Sequence, residues 1–334
     1  MDYLPFVLNN WLCESLSPGS LRENYVLLDG IDLIGFASVY FLNNRNTAVK
    51  FAVRIEKELR GKGYGKIFEH LLQETLTKKY TQLGSFISAI ADRGEIRNLG
   101  SPKFGNVLTV KAILVYKFPC NQLISLVEEE NPRLTALSRE DFAVALRTHR
   151  VRHLLENDLL HMQWVPVRPN TEQDIEFVVR KRQTVMAEEI SAGGKLTSLR
   201  NQSSSNLISL SKFCCFHFLM SSIFTYKLDT MIPRSVLSHP IDVSHGRIRA
   251  SLDYFTEEAN EVSLRSHLRS QLLRLREISA PEKEVIFSLL FRKDLEMAVL
   301  EIFKELRLED CLLTKNNSAE GPAKNMYVYE KLIS

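Results

Sequence analysis

The amino-acid sequence predicts an α+β fold, a mixed, mostly antiparallel sheet with flanking helices, followed by a C-terminal α/β accessory domain. Three observations predict it. Asp29-Gly30 stands between two strand-like runs and marks a tight hairpin. Val49, Phe51, Val53 and Ile55 then alternate with the period of a strand. Beyond a Gly-rich turn, Ile67 and Leu71, with the offset pair Phe68 and Leu72, repeat at helical spacing.

Each element follows from local chemistry. Tyr25-Val26-Leu27-Leu28 leads through the hairpin into Ile31 to Phe41, rich in β-branched and aromatic residues, so two antiparallel strands are expected. The cluster Asn43-Asn44-Arg45-Asn46 favours a turn, because Asn tolerates left-handed backbone. The third strand runs from Ala48 to Ile55, with Lys50 and Arg54 on the face away from the apolar row. The helix after the turn continues to about Tyr80, and Phe86 to Ala91 reads as a strand. Asp92 to Asn106, with Gly94, Gly100, Pro102 and Gly105, is a loop or short irregular helix before a long strand, Val107 to Phe118.

Glu128-Glu129-Glu130-Asn131-Pro132 joins three like charges to a proline and favours an exposed linker. The chain is therefore divided into residues 1–125, a linker at 126–137 and a second domain at 138–334. In the second part Ser138 and Asp141 have capping-box spacing ahead of a helix to about His149. Trp164, Pro166 and Pro169 mark an irregular segment. Val262 to Leu275 and Pro281 to Leu306 show helical periodicity, and Met326-Tyr327-Val328-Tyr329 is strand-like. No internal repeat is visible.

Composition removes several classes of function. The 334 residues are 45% hydrophobic and 25% charged, enough for a sizeable core, and the net charge of +3 is spread along the chain. No broad nucleic-acid or membrane surface is expected from that distribution. Five cysteines, with no Cys-x-x-Cys spacing, argue against a disulfide framework or structural zinc and point to a reducing cytoplasm. The N-terminus lacks a basic segment followed by an apolar run, so no secretory signal is expected. Leu207 to Tyr226 approaches the ~20 residues of a membrane span, but Lys212, His217 and several serines interrupt it. His149 and His153 are four apart on a basic stretch without a neighbouring carboxylate, and no metal is expected.

The chemistry lies in Arg60-Gly61-Lys62-Gly63-Tyr64-Gly65-Lys66. Alternate glycines permit positive φ and remove side chains that would hold a phosphate away. The helix that starts there points its unpaired N–H groups and positive dipole end at the same place, and Arg60, Lys62 and Lys66 add charge. Spacing selects among phosphate loops. Three residues separate Gly61 from Gly65 and Ile67 follows Lys66, unlike a Walker loop; position 66 is Lys, unlike a dinucleotide fingerprint.

The pattern that fits is Arg-x-x-Gly-x-Gly, met by Arg60, Gly63 and Gly65 after an antiparallel strand. Here the chain resembles the GCN5-related N-acetyltransferase superfamily across Tyr25 to Phe118. The resemblance implies acetyl-CoA as acetyl donor, with backbone groups of Val53, Arg54 and Ile55 on pantetheine and N–H groups from Arg60 through Gly61, Lys62, Gly63, Tyr64 and Gly65 to Lys66 on pyrophosphate. Asp2-Tyr3-Leu4-Pro5 with Trp11-Leu12, the strand from Leu108 to Phe118, and Trp164-Val165-Pro166-Val167-Arg168-Pro169 are similar to the histidine N-acetyltransferase family. That likeness implies transfer to the α-amine of a free amino acid, with L-histidine the namesake acceptor. The family carries a strand and helix ahead of Asp2-Tyr3-Leu4-Pro5, and a shorter segment in place of Phe213 to Lys227.

Direct attack of an amine on a thioester needs an exit for the ammonium proton, donors for the developing negative charge and a proton for the leaving thiolate. Asp92, Glu95 and Asp2 are candidate proton acceptors, and Tyr116 a candidate donor to the thiolate. No covalent cysteine is required, so Cys13 and Cys120 are read as packing residues. The alternatives are a coenzyme-binding member without turnover and a protein or peptide acetyltransferase. An open acidic groove would favour the latter, and a closed pocket with a carboxylate-binding arginine would count against it.

Overall fold

The structure, a computed structural model, describes residues 12–91, 105–123, 134–162, 165–181, 184–189, 233–239, 241–244, 247–278, 280–313 and 324–333. Asp2, Asp92, Glu95, Cys214, Cys215 and the apolar stretch 207–226 lie outside them. Among the described residues no helix is long and apolar enough to cross a membrane.

A mixed sheet with helices on both faces forms the molecule. Residues 12–16 are helical (α1), and β1 (Arg22–Asp29) and β2 (Asp32–Leu42) form the expected hairpin, with Gly30 at φ 60°. Asn43, Asn44 and Arg45 all take positive φ in the next turn, which leads into β3 (Thr47–Ile55). Helix α2 (Tyr64–Lys79) connects β3 to the parallel strand β4 (Ser85–Ala91), and β5 (Asn106–Pro119) follows. Phe68, Leu72 and Leu76 of α2 pack on Ala37, Val39 and Phe41 of β2. Full burial of side chains of this size stabilises by roughly 1.5–3 kcal/mol each.

The opposite face is covered by the segment after β6 (Leu134–Leu137). Helix α3 (Arg139–Arg147) starts with the predicted capping box: Ser138 Oγ accepts from Asp141 N at 3.0 Å, and Ser138 N donates to Asp141 Oδ2 at 3.3 Å. A short hairpin, β7 (Leu160–Met162) and β8 (Val165–Val167), precedes α4 (Glu172–Lys181). Phe142, Leu146, Phe177 and Val178 pack against Tyr40, Val49 and Ile87 of the sheet. Two polar ties fix this cover. Buried Asp174 accepts from Thr171 N at 3.1 Å and from Asn43 N at 2.8 Å, and Arg168 grips the Glu330 carboxylate through both terminal nitrogens at 2.6 and 3.1 Å.

The remaining strands are β9 (Thr184–Glu189), β10 (Pro233–His239), β11 (Ile241–Ser244), β12 (Arg247–Thr256), β13 (Glu284–Phe291) and β14 (Lys324–Leu332). Helix α5 (Glu261–Ile278) joins β12 to β13, which pair in parallel, and α6 (Glu296–Glu305) follows β13. The sheet order is β1-β2-β3-β4-β14-β5-β13-β12-β10-β9-β6, with β11 on β12. Taken from β1 the order is two antiparallel neighbours, a β-α-β pair and a closing strand. Taken from β9 it is the same, and each closing strand, β14 or β5, comes from the other part of the chain. A topological repeat is thus present although no repeat of residues is visible, because packing needs only matching apolar periods.

Several expectations change. Glu284 to Phe291, inside the stretch of predicted helical periodicity, is a buried central strand, since a short apolar run suits either element and pairing with β12 and β5 decides it. Residues 134–137 of the expected linker form β6, paired with β9. Cys120 is buried as expected, whereas Cys13 is exposed.

Candidate active site

The loop between β3 and α2 is held open by backbone conformation. After β3, residues Lys57–Leu59 make one 3₁₀ turn, and Arg60 Nε donates to Ile55 O at 2.9 Å, tying the loop to the strand end. Gly61 and Gly63 follow at φ 81° and 91°, values an L side chain resists, and a Cβ on either would meet nothing within 4 Å. Gly63 is the N-cap of α2. No side chain caps this helix and its first turn holds no acidic residue, while Lys66 N and Ile67 N return to Gly63 O at 3.0 and 3.3 Å. The start of the helix is flanked by exposed Lys62 and Lys66, an arrangement of N–H groups and positive charge that suits an anion.

Beside this loop the sheet forks. β3 and β4 pair from Thr47↔Ser85 to Lys50↔Ser88 and no further, although β3 continues to Ile55 and β4 to Ala91. The cause is a bulge. Ala52 has φ 52°, and the β2–β3 register passes from Ser38↔Phe51 to Phe36↔Arg54, so β3 carries one extra residue and bends. Among the described residues the β3–β4 pairing ends at Lys50, and Val53, Arg54 and Ile55 belong to the stretch of β3 beyond it, where Val53 O accepts from Arg54 Nη1 at 3.0 Å and Ile55 O from Arg60 Nε at 2.9 Å. Lys50, the last paired residue, is 7% exposed and reaches Glu69 of α2 at 2.6 Å, so helix and fork are fastened together.

The second β-α-β unit has the same topology without these features. β12 and β13 stay paired from Arg247↔Glu284 to Asp253↔Leu290, so no fork opens. The connection Glu257-Glu258-Ala259-Asn260 contains no glycine, Asn260 Oδ1 accepts from Ser263 N at 3.0 Å, and Glu261 occupies the first turn of α5. An anion would meet carboxylates and an occupied cap there.

Tyr116 is placed away from the fork. Its ring stacks on Phe303 with centroids 3.8 Å apart, in a core shared with β12, β13, α5 and α6, and it is 1% exposed. Burial pushes its hydroxyl pKa up. The expected role as donor to a thiolate gives way to packing, because residues of β5 alternate faces and this one points into the second core. Among the described residues no cluster of three His, Cys, Asp or Glu side chains could hold a metal. A small cavity at the other end of β3, lined by Leu42, Thr47, Ile87, Pro166, Arg168 and Asn170, is separate from the fork.

No model of a known protein family matches the chain, and no curated protein matches it. Solved structures do align along most of its length. A tandem GNAT protein from the clavulanic acid biosynthesis pathway shares 12% identity over 97% of this chain and 87% of its own, with a TM-score of 0.48. A GCN5-related N-acetyltransferase from Sphaerobacter thermophilus shares 10% over 98% and 84%, at 0.46. Saccharomyces cerevisiae N-myristoyltransferase with bound myristoyl-CoA shares 9% over 96% and 73%, also at 0.46. These are loose likenesses of fold.

Proposed function

We propose that this chain is an acetyl-CoA-dependent N-acetyltransferase acting on the α-amine of a small amino acid, with L-histidine the acceptor that the sequence resemblance favours. The observation that carries the proposal is the uncapped, Gly-rich start of α2 beside a fork in the sheet. Pyrophosphate would sit on the N–H groups from Arg60 to Lys66, and pantetheine would run alongside β3 at Val53, Arg54 and Ile55, beyond its last pair with β4, as an added strand does.

An uncharged amine that attacks the thioester carbon forms the C–N bond, the C–S bond breaks, and the thiolate takes up a proton. N–H groups of the β3 edge supply donors for the charge that develops on the carbonyl oxygen. Asp92 and Glu95, which follow the last residue of β4 in the chain, remain the proposed proton acceptors. Thiol release from acetyl-CoA, followed with purified protein and a panel of amino acids, amines and peptides, tests this directly. Turnover with one amino acid supports the proposal. Acetyl-CoA binding without turnover favours an inactive member, and turnover with peptides alone favours a protein acetyltransferase.

Gly65 separates ligand binding from folding. A Cβ there meets only Ile55 Cγ1, at 3.9 Å, an ordinary contact. Gly65→Ala is expected to leave the unfolding temperature unchanged or higher, since Ala is favoured over Gly in a helix by ~1 kcal/mol. The same methyl narrows the anion site, so acetyl-CoA affinity should fall about 10-fold, a loss of ~1.4 kcal/mol. Thermal unfolding with and without acetyl-CoA measures both.

A further inference from the structure

The sheet face opposite α2 carries a buried cation next to the fork. Arg22 of β1 is 1% exposed, and its guanidinium lies 4.8 Å from the ring centroid of Phe51. Phe51 is the first residue of β3 beyond the last pair with β4, so this positive charge stands beside the start of the fork. The group is held in a built frame. Nε donates to Ser38 Oγ at 2.8 Å, Ser38 Oγ donates to Asn24 Oδ1 at 2.7 Å, and Nη1 donates to Tyr40 Oη at 3.2 Å. Nη1 also reaches Glu14 Oε2 at 3.2 Å, and Tyr40 Oη donates to the same carboxylate at 3.2 Å.

The two ends of this ion pair differ. Arg22 is enclosed, while the Glu14 side chain, on the short helix α1, keeps 28% of its surface in solvent. Burial draws the guanidinium pKa down, and Tyr40 and Glu14 push it back up. A buried guanidinium needs an anion, but the anion need not be one particular carboxylate. An incoming carboxylate could replace Glu14 on Arg22 and Tyr40 like for like, without exposing the guanidinium.

We propose that Arg22 is the specificity-determining anchor for the carboxylate of the acceptor, and that Glu14 is an internal stand-in which holds that position until the acceptor arrives. The inference rests on the fork being the acetyl-CoA site. An α-amino acid bears its amine on the carbon next to its carboxylate, so anchoring the carboxylate over Phe51 presents the amine to the fork. An acceptor lacking the carboxylate would leave Glu14 in place and lose the anchor.

The test compares L-histidine with histamine, its decarboxylated counterpart, and other such pairs, in thiol-release assays on the full chain. The wild type should favour the amino acid by about 100-fold in kcat/KM, as expected for an anchored charge pair. Glu14→Gln should lower KM for the amino acid severalfold and leave that for the amine unchanged. Arg22→Gln should raise the amino-acid KM about 100-fold with acetyl-CoA affinity intact; should that variant fail to fold, the wild-type ratio and Glu14→Gln still decide. Equal kcat/KM for both members of each pair would overturn the proposal. So would a Glu14→Gln protein that loses stability with no change in KM, which is the behaviour of a purely structural pair. Acetyl-CoA binding with no amino acid bound or turned over sinks this inference alone, whereas absence of acetyl-CoA binding sinks the reading of the fork on which it rests.

Discussion

Gly63→Glu is expected to abolish acetyl-CoA binding in calorimetry, weakening it by more than ~100-fold, about 2.7 kcal/mol or more. The protein should remain folded. A Cβ at position 63 meets no atom within 4 Å, so the cost to the fold is confined to backbone strain at φ 91°, on the order of 1–3 kcal/mol. The cost to binding is larger, because the new carboxylate takes up the N–H groups at the start of α2 that would hold phosphate. Gly63→Ala separates the two effects. It carries the same strain without charge and should bind acetyl-CoA more tightly than Gly63→Glu. Equal losses in the two variants would mean that backbone shape, not anion recognition, is at stake.

Acid should destabilise the chain from pH 6.5 downward through His267. This side chain is 0% exposed inside the second core, edge-on to Tyr254 with centroids 5.5 Å apart, and burial pushes its pKa down to about 3 from 6.5. The folded protein therefore holds His267 neutral where the unfolded chain takes up a proton. Stability from this group is fully present above pH 6.5 and is lost as pH falls toward about 3, at up to ~1.4 kcal/mol per pH unit. Between pH 6.5 and 5 few carboxylates titrate, so the slope there is attributable to histidine. Urea unfolding of the wild type should show it, and His267→Leu should flatten it. Parallel pH profiles for the two proteins would contradict the assignment.

Much of the first half was legible from local pattern. Asp29-Gly30 and the offset pair Phe68 and Leu72 encode their elements within a few residues, although Ile67 and Leu71 are exposed. The strand from Val49 to Ile55 was legible but its single apolar row was not, because the bulge at Ala52 puts Val49 and Phe51 in one core, Ile55 in the other and leaves Val53 exposed. The Gly-rich loop adopts the positive φ that its composition implies. Long-range pairing was not legible. Met326 to Tyr329 reads as a strand, but nothing near it in the chain shows that β14 lies between β4 and β5. The same gap misplaced Tyr116, whose strand alternation is plain but whose facing core is completed by residues of β12, α5, β13 and α6, more than 130 positions away. Glu284 to Phe291 failed for another reason: six apolar residues interrupted only by Ser288 suit a helix or a strand alike. Arg22 carried no local signal, since its importance comes from Phe51 and Tyr40 on neighbouring strands.

On the proposed function, one coenzyme site, at the β3–β4 fork, serves the whole chain. Calorimetric titration of the wild-type protein with acetyl-CoA tests it most directly. The open fork and uncapped α2, set against the zipped β12–β13 pair and the capped start of α5, require saturation at one acetyl-CoA per chain, with the heat removed by Gly63→Glu. No binding, or binding that Gly63→Glu leaves unchanged, would contradict the account.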